Sequence, residues 1–180
     1  ARLDDGRTHL YDLDLPEMIA LKHELLAETD RYHILAYSVL DPAWRDRIAR
    51  ERPGPFLFLA EGLFMYLPPE GVRGLVTELA TRFPGGELIF ETVQAAWLRP
   101  RLRWIIELKM GKELGLGPGT RYQFGITDPR EPETWSPAIR FLEEWSYMDE
   151  DEPKLGFMRA LGRMQWLRKT QWTVRYALET

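Results

Sequence analysis

The 180 residues are 44% hydrophobic and 29% charged, the composition of a globular domain with a real core. A net charge of -4, with arginines scattered among acids, gives no positive field for a phosphate backbone, and no apolar run approaches the ~20 residues that span a bilayer. Nucleic acid and membrane are thus argued against as partners; with no cysteine there is no disulfide framework, thiolate nucleophile or Cys-ligated zinc, the redox compartment is left undetermined, and the cytoplasm is the default location.

The basic residues are mostly arginine, with lysine only at positions 22, 109, 112, 154 and 169, a bias of GC-rich bacterial coding. Ala1 is not an initiator methionine and no signal-peptide pattern follows it, so the chain reads as starting at an internal position.

From Thr8, THLYDLDLPE predicts a short strand ending in acids and a proline, and Met18, Ile19, Leu21, Leu25 and Leu26 predict a helix after Pro16. The unit repeats: His33 to Leu40 is a compact apolar run, and Asp41-Pro42 supplies an N-cap and a first-turn proline for a short helix through Trp44 and Ile48. PFLFLAEGLFMYL follows as an almost unbroken apolar strand of the kind buried on both faces of a parallel sheet, interrupted at Glu61-Gly62. Pro68-Pro69-Glu70 opens the most regular helix, with Val72, Leu75, Val76, Leu79, Ala80 and Phe83 at alternating spacings of three and one, until Phe83-Pro84-Gly85-Gly86 stops it. GELIFETV, Gly86 to Val93, is the next strand, and the strict alternation of strand and helix predicts a doubly wound α/β sheet.

Beyond Val93 the pattern predicts a helix over 95–112 and then a glycine-rich stretch, Gly111 to Gly119, that disfavours regular structure. Residues 94–137 read as a lid or substrate-side insertion within a single domain. A strand over 139–147, an amphipathic helix over 154–169 and a β-prone run over 171–178 complete the chain, the two strands as a hairpin-like pair.

In nucleotide-binding α/β folds an acid at the tip of the second strand accepts hydrogen bonds from ribose hydroxyls. Asp12 and Asp14 occupy that kind of tip, with helix capping as the competing reading, and the alternation is expected to send only one of them toward the crevice. Asp41, before a proline, reads as a cap. Glu61 is the stronger candidate, because a carboxylate followed by glycine at the end of an apolar strand lies at the crevice where open α/β sheets bind ligands, and burying it unpaired is costly.

In this order and spacing, YDLDLPEMIALKHELL, SVLDPAW, LFLAEGLFMYLPPEGV and GGELIFET resemble the leucine carboxyl methyltransferase-like family, which includes bacterial polyketide O-methyltransferases of the tetracenomycin type. The resemblance implies a Rossmann-like, class I methyltransferase fold that uses S-adenosyl-L-methionine. It places Asp14 on the ribose, Ser38 and Val39 beside the adenine, and Glu61 against the cofactor. At Ser38 the chain departs from the aspartate more frequent in the family, which weakens the case for a side-chain contact to adenine there. It also implies an earlier strand and Gly-x-Gly loop at the centre of the sheet, between the strands that carry Asp14 and Glu61, and this sequence begins after them. The 180 residues alone are therefore expected to bind the cofactor weakly or not at all.

Methyl transfer from a sulfonium is a direct displacement, so the protein has to align the acceptor oxygen and exclude water. An ionised carboxylate needs no general base, whereas a phenol with a pKa of ~10 does. His9, His23 and His33 all lie early in the chain, two of them at strand starts and so opposite the crevice, and 95–137 contains no histidine. That segment offers Arg99, Arg101, Arg103, Arg121 and Tyr122 for an anionic acceptor, and Trp97, Trp104, Tyr122 and Phe124 for stacking or for the core. Tyr66, Arg121 and Tyr122 are the residues expected to touch a small-molecule acceptor bearing a carboxylate or an acidic hydroxyl. The alternative reading is a truncated, inactive methyltransferase-like module that binds a partner or forms a homodimer through its open sheet. A nicotinamide dehydrogenase would share the ribose acid, but nothing after Glu61 supplies its proton donor.

Overall fold

The computed structural model describes residues 6–100, 121–146 and 170–179. The chain divides into two compact units, Ala1–Pro53 and Gly54–Thr180. Among the described residues no helix is long and apolar enough to cross a membrane.

In the first unit, β1 (Leu10–Asp14) and β2 (Tyr32–Ala36) pair in parallel with Leu10 opposite Tyr32 and Asp14 opposite Ala36. Parallel neighbours need a crossover, which α1 (Pro16–His23) supplies. Pro16 is tolerated at the first turn because the N–H it lacks has no helical partner there. After β2, α2 (Pro42–Glu51) starts as the Asp-Pro pair predicts: the Asp41 side chain accepts the Ala43 N–H at 2.8 Å. Ile19, Ile34, Leu35, Trp44 and Ile48 are buried, while Leu15, Met18 and Leu21 stay exposed.

In the second unit, β3 (Leu57–Ala60) and β4 (Glu87–Val93) are parallel and joined by α3 (Pro69–Arg82). Two further strands, β5 (Ile139–Trp145) and β6 (Gln171–Leu178), run antiparallel to each other, and β6 is antiparallel to β4, giving the order β3-β4-β6-β5. Helix α3 buries its predicted stripe of Val72, Leu75, Val76, Leu79 and Ala80. The sheet face beside it is apolar. Leu88, Phe90, Trp172, Val174, Tyr176 and Leu178 are buried, Phe90 stacks on Tyr176 at 5.6 Å, and Phe83 at the end of α3 meets Phe58 edge-on at 5.1 Å.

Several expectations are corrected here. The apolar strand through Glu61 is only half buried: Leu57 and Leu59 are 57% and 69% exposed, because β3 is an edge strand and its residues alternate between two unlike faces. The strands themselves fall into a two-stranded and a four-stranded sheet, with β1 and β3 each at an edge, and through β4 keep the predicted alternation with helices. In the described part of the helix predicted from Ala95, Ala95–Leu98 form a 3-10 turn and Arg99 is extended, as a residue ahead of proline prefers, while Pro100 is helical. The glycine-rich stretch 111–119, the remainder of that helix and the helix predicted over 154–169 lie outside the described residues.

Candidate functional site

The first unit presents its acids at the carboxyl end of β1. Asp14 is the last residue of the strand; its Oδ1 accepts the Leu15 N–H at 2.8 Å and its Oδ2 lies 3.2 Å from Lys22 Nζ. Asp12 meets the same ammonium at 2.8 Å and accepts the Tyr32 hydroxyl at 2.9 Å. The expectation that the two acids diverge is therefore corrected: residues two apart share a side of a strand, and both face Lys22. They differ in position along the strand. Asp12 is tied down by a lysine and a tyrosine, whereas Asp14 stands at the tip with each oxygen holding one partner and having a second lone pair to offer.

Ser38 and Val39 follow β2 at the same end, where Tyr37 N–H reaches the Asp14 carbonyl at 3.0 Å. Ser38 is exposed, and its hydroxyl accepts the Leu40 N–H at 3.3 Å, a local turn bond. The Val39 carbonyl already accepts Trp44 Nε1 at 2.9 Å and Arg45 Nη1 at 3.1 Å, so it has no lone pair left for an adenine amine. Asp41 is the α2 cap. The histidines lie where the sequence places them: His9 precedes β1, His33 is second in β2, and their rings stack at 5.8 Å, at the amino ends of the strands.

In the second unit Glu61 comes directly after β3, exposed and with no partner among the described residues. Gly62 follows in the left-handed region at φ 58°, a conformation that favours glycine, and turns the chain out of the ladder. Beneath this turn sits Glu91 of β4, only 5% exposed. Its Oε2 accepts the Gly62 N–H at 3.0 Å and its Oε1 the Gln171 Nε2 at 2.6 Å.

Beyond the turn, a 3-10 turn at Phe64–Tyr66 buries Phe64 and Met65 and leaves Tyr66 half-buried. Residues 121–127 return to this place. Gln123 N–H and Phe124 N–H donate to the Met65 carbonyl at 2.7 and 3.2 Å, Gln123 Nε2 donates to the Tyr66 carbonyl at 2.7 Å, and Ile126 bridges Gln94. This docking sets the Tyr122 ring 5.3 Å from the Tyr66 ring, with both packed on the buried Trp97. Burial, and then Tyr66 with its hydrogen bond, push the Tyr122 hydroxyl well above the ordinary range, so it stays a neutral donor. Phe124 is buried in the core, and Arg99 and Arg121 are exposed. Arg101, Arg103 and Trp104 lie outside the described residues.

The structure thus brings Tyr66 and Tyr122 together in one unit, and Asp14 with Ser38 and Val39 in the other. Sequence reasoning missed Lys22, Glu91 and Gln171. The available signal for Glu91 was a lone carboxylate inside the apolar run LIFETV, where an unpaired charge is too costly to bury.

The fold and sequence have relatives. Residues 2–80 match the leucine carboxyl methyltransferase family. The chain is 31% identical over 138 residues to the tetracenomycin polyketide synthesis O-methyltransferase TcmP of Streptomyces glaucescens, covering 77% of this chain and 47% of that protein. It superposes on a Thermobifida fusca protein assigned as a methyltransferase with a TM-score of 0.62 at 16% identity, covering 96% of this chain and 64% of the other. With an S-adenosylmethionine-dependent methyltransferase from Mesorhizobium loti the TM-score is 0.59 at 11% identity, covering 94% and 80%. The architecture is therefore the Rossmann-like fold of class I S-adenosylmethionine-dependent methyltransferases. Over residues 2–80 the chain is similar to the leucine carboxyl methyltransferase family, and it spans about half the length of the curated relative it matches.

Proposed function

We propose that this protein is an S-adenosylmethionine-dependent O-methyltransferase acting on a carboxylate or acidic hydroxyl of a small, planar, polyketide-like molecule. The observation that carries the reading is Glu61, an exposed carboxylate with no partner among the described residues, at the carboxyl end of a parallel strand, the end at which open α/β sheets bind ligands. The kinship to a polyketide O-methyltransferase points the same way.

The residues present fit the cofactor in part. In the first unit Asp14 has lone pairs to spare for ribose hydroxyls, while the occupied Val39 carbonyl leaves adenine to apolar contact or a backbone N–H; in the second, Glu61 has no partner among the described residues. When bound, S-adenosylmethionine supplies an electrophilic methyl group on a sulfonium. The chain's own task is orientation and exclusion of water. Tyr66, Tyr122 and Trp97 offer aromatic faces for a planar acceptor, and Tyr122, held neutral, keeps its proton for donation rather than acting as a base at neutral pH. Exposed Arg121 suits an anionic acceptor, and an acceptor already ionised needs no base. Residues 94–137 are the segment we propose as its substrate-side cover.

The test is methyl transfer from labelled S-adenosylmethionine to a panel of aromatic carboxylic acids, phenols, their O-methylated counterparts and aromatic amines, using the complete protein. Label on a carboxyl or acidic hydroxyl is expected; transfer confined to amines, or none in a protein that binds the cofactor, sinks the reading.

The exposed Leu57 and Leu59 on edge strand β3 favour a second reading, a module that pairs with a partner or another copy through this edge. Sedimentation of the chain beside Leu59→Lys separates the two, since only the second reading requires association that the lysine abolishes.

A further inference from the structure

We propose that Glu91 is a positioning residue for the cofactor: it fixes the Glu61-Gly62 turn so that the Glu61 carboxylate points out of the ladder at the carboxyl end of β3. The inference rests on the reading of Glu61 as a cofactor contact.

The β3–β4 register carries the argument. Ala60 is opposite Phe90, so one more residue of strand would set Glu61 directly beside Glu91, two like charges in lateral contact. The chain avoids this by leaving the ladder. Gly62 adopts φ 58°, its N–H swings to Glu91 Oε2 at 3.0 Å, and the buried carboxylate gains a donor where it would have met a like charge. One charge is thereby buried with partners and the other, Glu61, is exposed.

Glu91 is itself restrained. Gln171, the first residue of β6, stands opposite Val93, and Thr173 stands opposite Glu91, so Gln171 lies diagonally across the same face. Its amide holds Glu91 Oε1 at 2.6 Å. The bond ties the turn after β3 to the start of β6 through one carboxylate. A Cβ at Gly62 would meet nothing within 4 Å, so no side chain crowds this position, and its N–H is tied to β4 through Glu91. Loss of Glu91 therefore frees the turn.

The experiment is a double-mutant cycle in the complete protein, reading S-adenosylhomocysteine affinity by calorimetry and the KM of each substrate. Glu91→Met fills the same space without an acceptor, and Glu61→Ala removes the contact itself. Each is expected to weaken cofactor binding about tenfold, as for a hydrogen bond to a charged group. The double variant should be no weaker than either single one, because both act through the same carboxylate. Acceptor KM should stay put, and Glu91→Gln, which restores an acceptor, should recover most of the affinity. Should Glu91→Met fail to fold, Gln171→Leu, which removes the other restraint, reads the same quantity. Wild-type cofactor affinity in Glu91→Met, losses that multiply in the double variant, or equal effects on both KM values would overturn the proposal while leaving the Glu61 assignment in place. Wild-type affinity in Glu61→Ala removes that assignment and this inference with it.

Discussion

Lys22 Nζ lies 3.2 Å from Oδ2 of Asp14, so the acid at the tip of β1 is steadied by a lysine from the following helix. The pair is partly exposed and contributes about 1 kcal/mol or less to stability. On the proposal that Asp14 accepts from a ribose, the pair serves orientation, since a carboxylate already facing one way loses less freedom on meeting a hydroxyl. In the complete protein Asp14→Ala should lower S-adenosylhomocysteine affinity by about tenfold with little change in melting temperature. Unchanged calorimetric affinity would remove Asp14 from the site.

Asp12, on the same ammonium, predicts an acid response. Burial disfavours its ionised form, but hydrogen bonds from Lys22 and Tyr32 outweigh that and hold its carboxyl below the usual range. A depressed folded pKa gives stability that is present above the unfolded value, about 4, and lost as pH falls through the folded value. Denaturant melts taken below pH 4 should therefore show a loss that is smaller in Lys22→Met. Equal acid sensitivity in the two proteins would deny the pair this role.

The tyrosines predict the opposite limb. Burial, and then neighbouring Tyr66, raise the Tyr122 hydroxyl, and burial does the same for Tyr176, whose hydroxyl donates to the Pro129 carbonyl at 2.6 Å. A raised folded pKa gives stability that is full below the unfolded value, about 10, and lost as pH rises through the folded one. Tyr122→Phe should flatten the alkaline loss above that pH, and absorbance titration should show one late-ionising tyrosine fewer. A titration curve identical to wild type would contradict the burial of this hydroxyl.

Gly125 predicts a packing effect at a distance. A Cβ there would stand 2.5 Å from the Val93 carbonyl oxygen, a backbone atom that cannot step aside cheaply. Gly125→Ala should cost about 1–3 kcal/mol, shift residues 121–127 and loosen Tyr122 from Tyr66 and Trp97. Near-ultraviolet circular dichroism should weaken and acceptor KM should rise while cofactor affinity holds. An alanine variant with wild-type spectrum and KM would mean the segment does not place the aromatic pair.

Much of this protein was already legible in its residues one short window at a time. Asp41-Pro42 announced α2 because a cap and a first-turn proline act within a few bonds, and the spacing of Val72, Leu75, Val76 and Leu79 announced α3 because helical period is local. The strand ends after Asp14 and Ala60 were marked by the acids, glycine and proline that follow them, and the family kinship was carried by those same short runs.

Other features required the chain to fold back on itself. No local rule states that Tyr122 will meet Tyr66, because that pairing depends on the Met65 carbonyl accepting two N–H groups from a segment far along the chain. Nor does the run LFLA declare that Leu57 and Leu59 face outward, since exposure depends on which neighbours cover each face. Glu91 shows the difference most clearly. As a letter in an apolar strand it reads as an oddity; in the folded chain it accepts hydrogen bonds from Gly62 and Gln171, and both donors come from other strands' ends. Capping, periodicity and turn conformation are settled by the nearest few residues, whereas a buried charge is settled by whichever distant donors the topology delivers to it, because desolvation leaves it no solvent to fall back on.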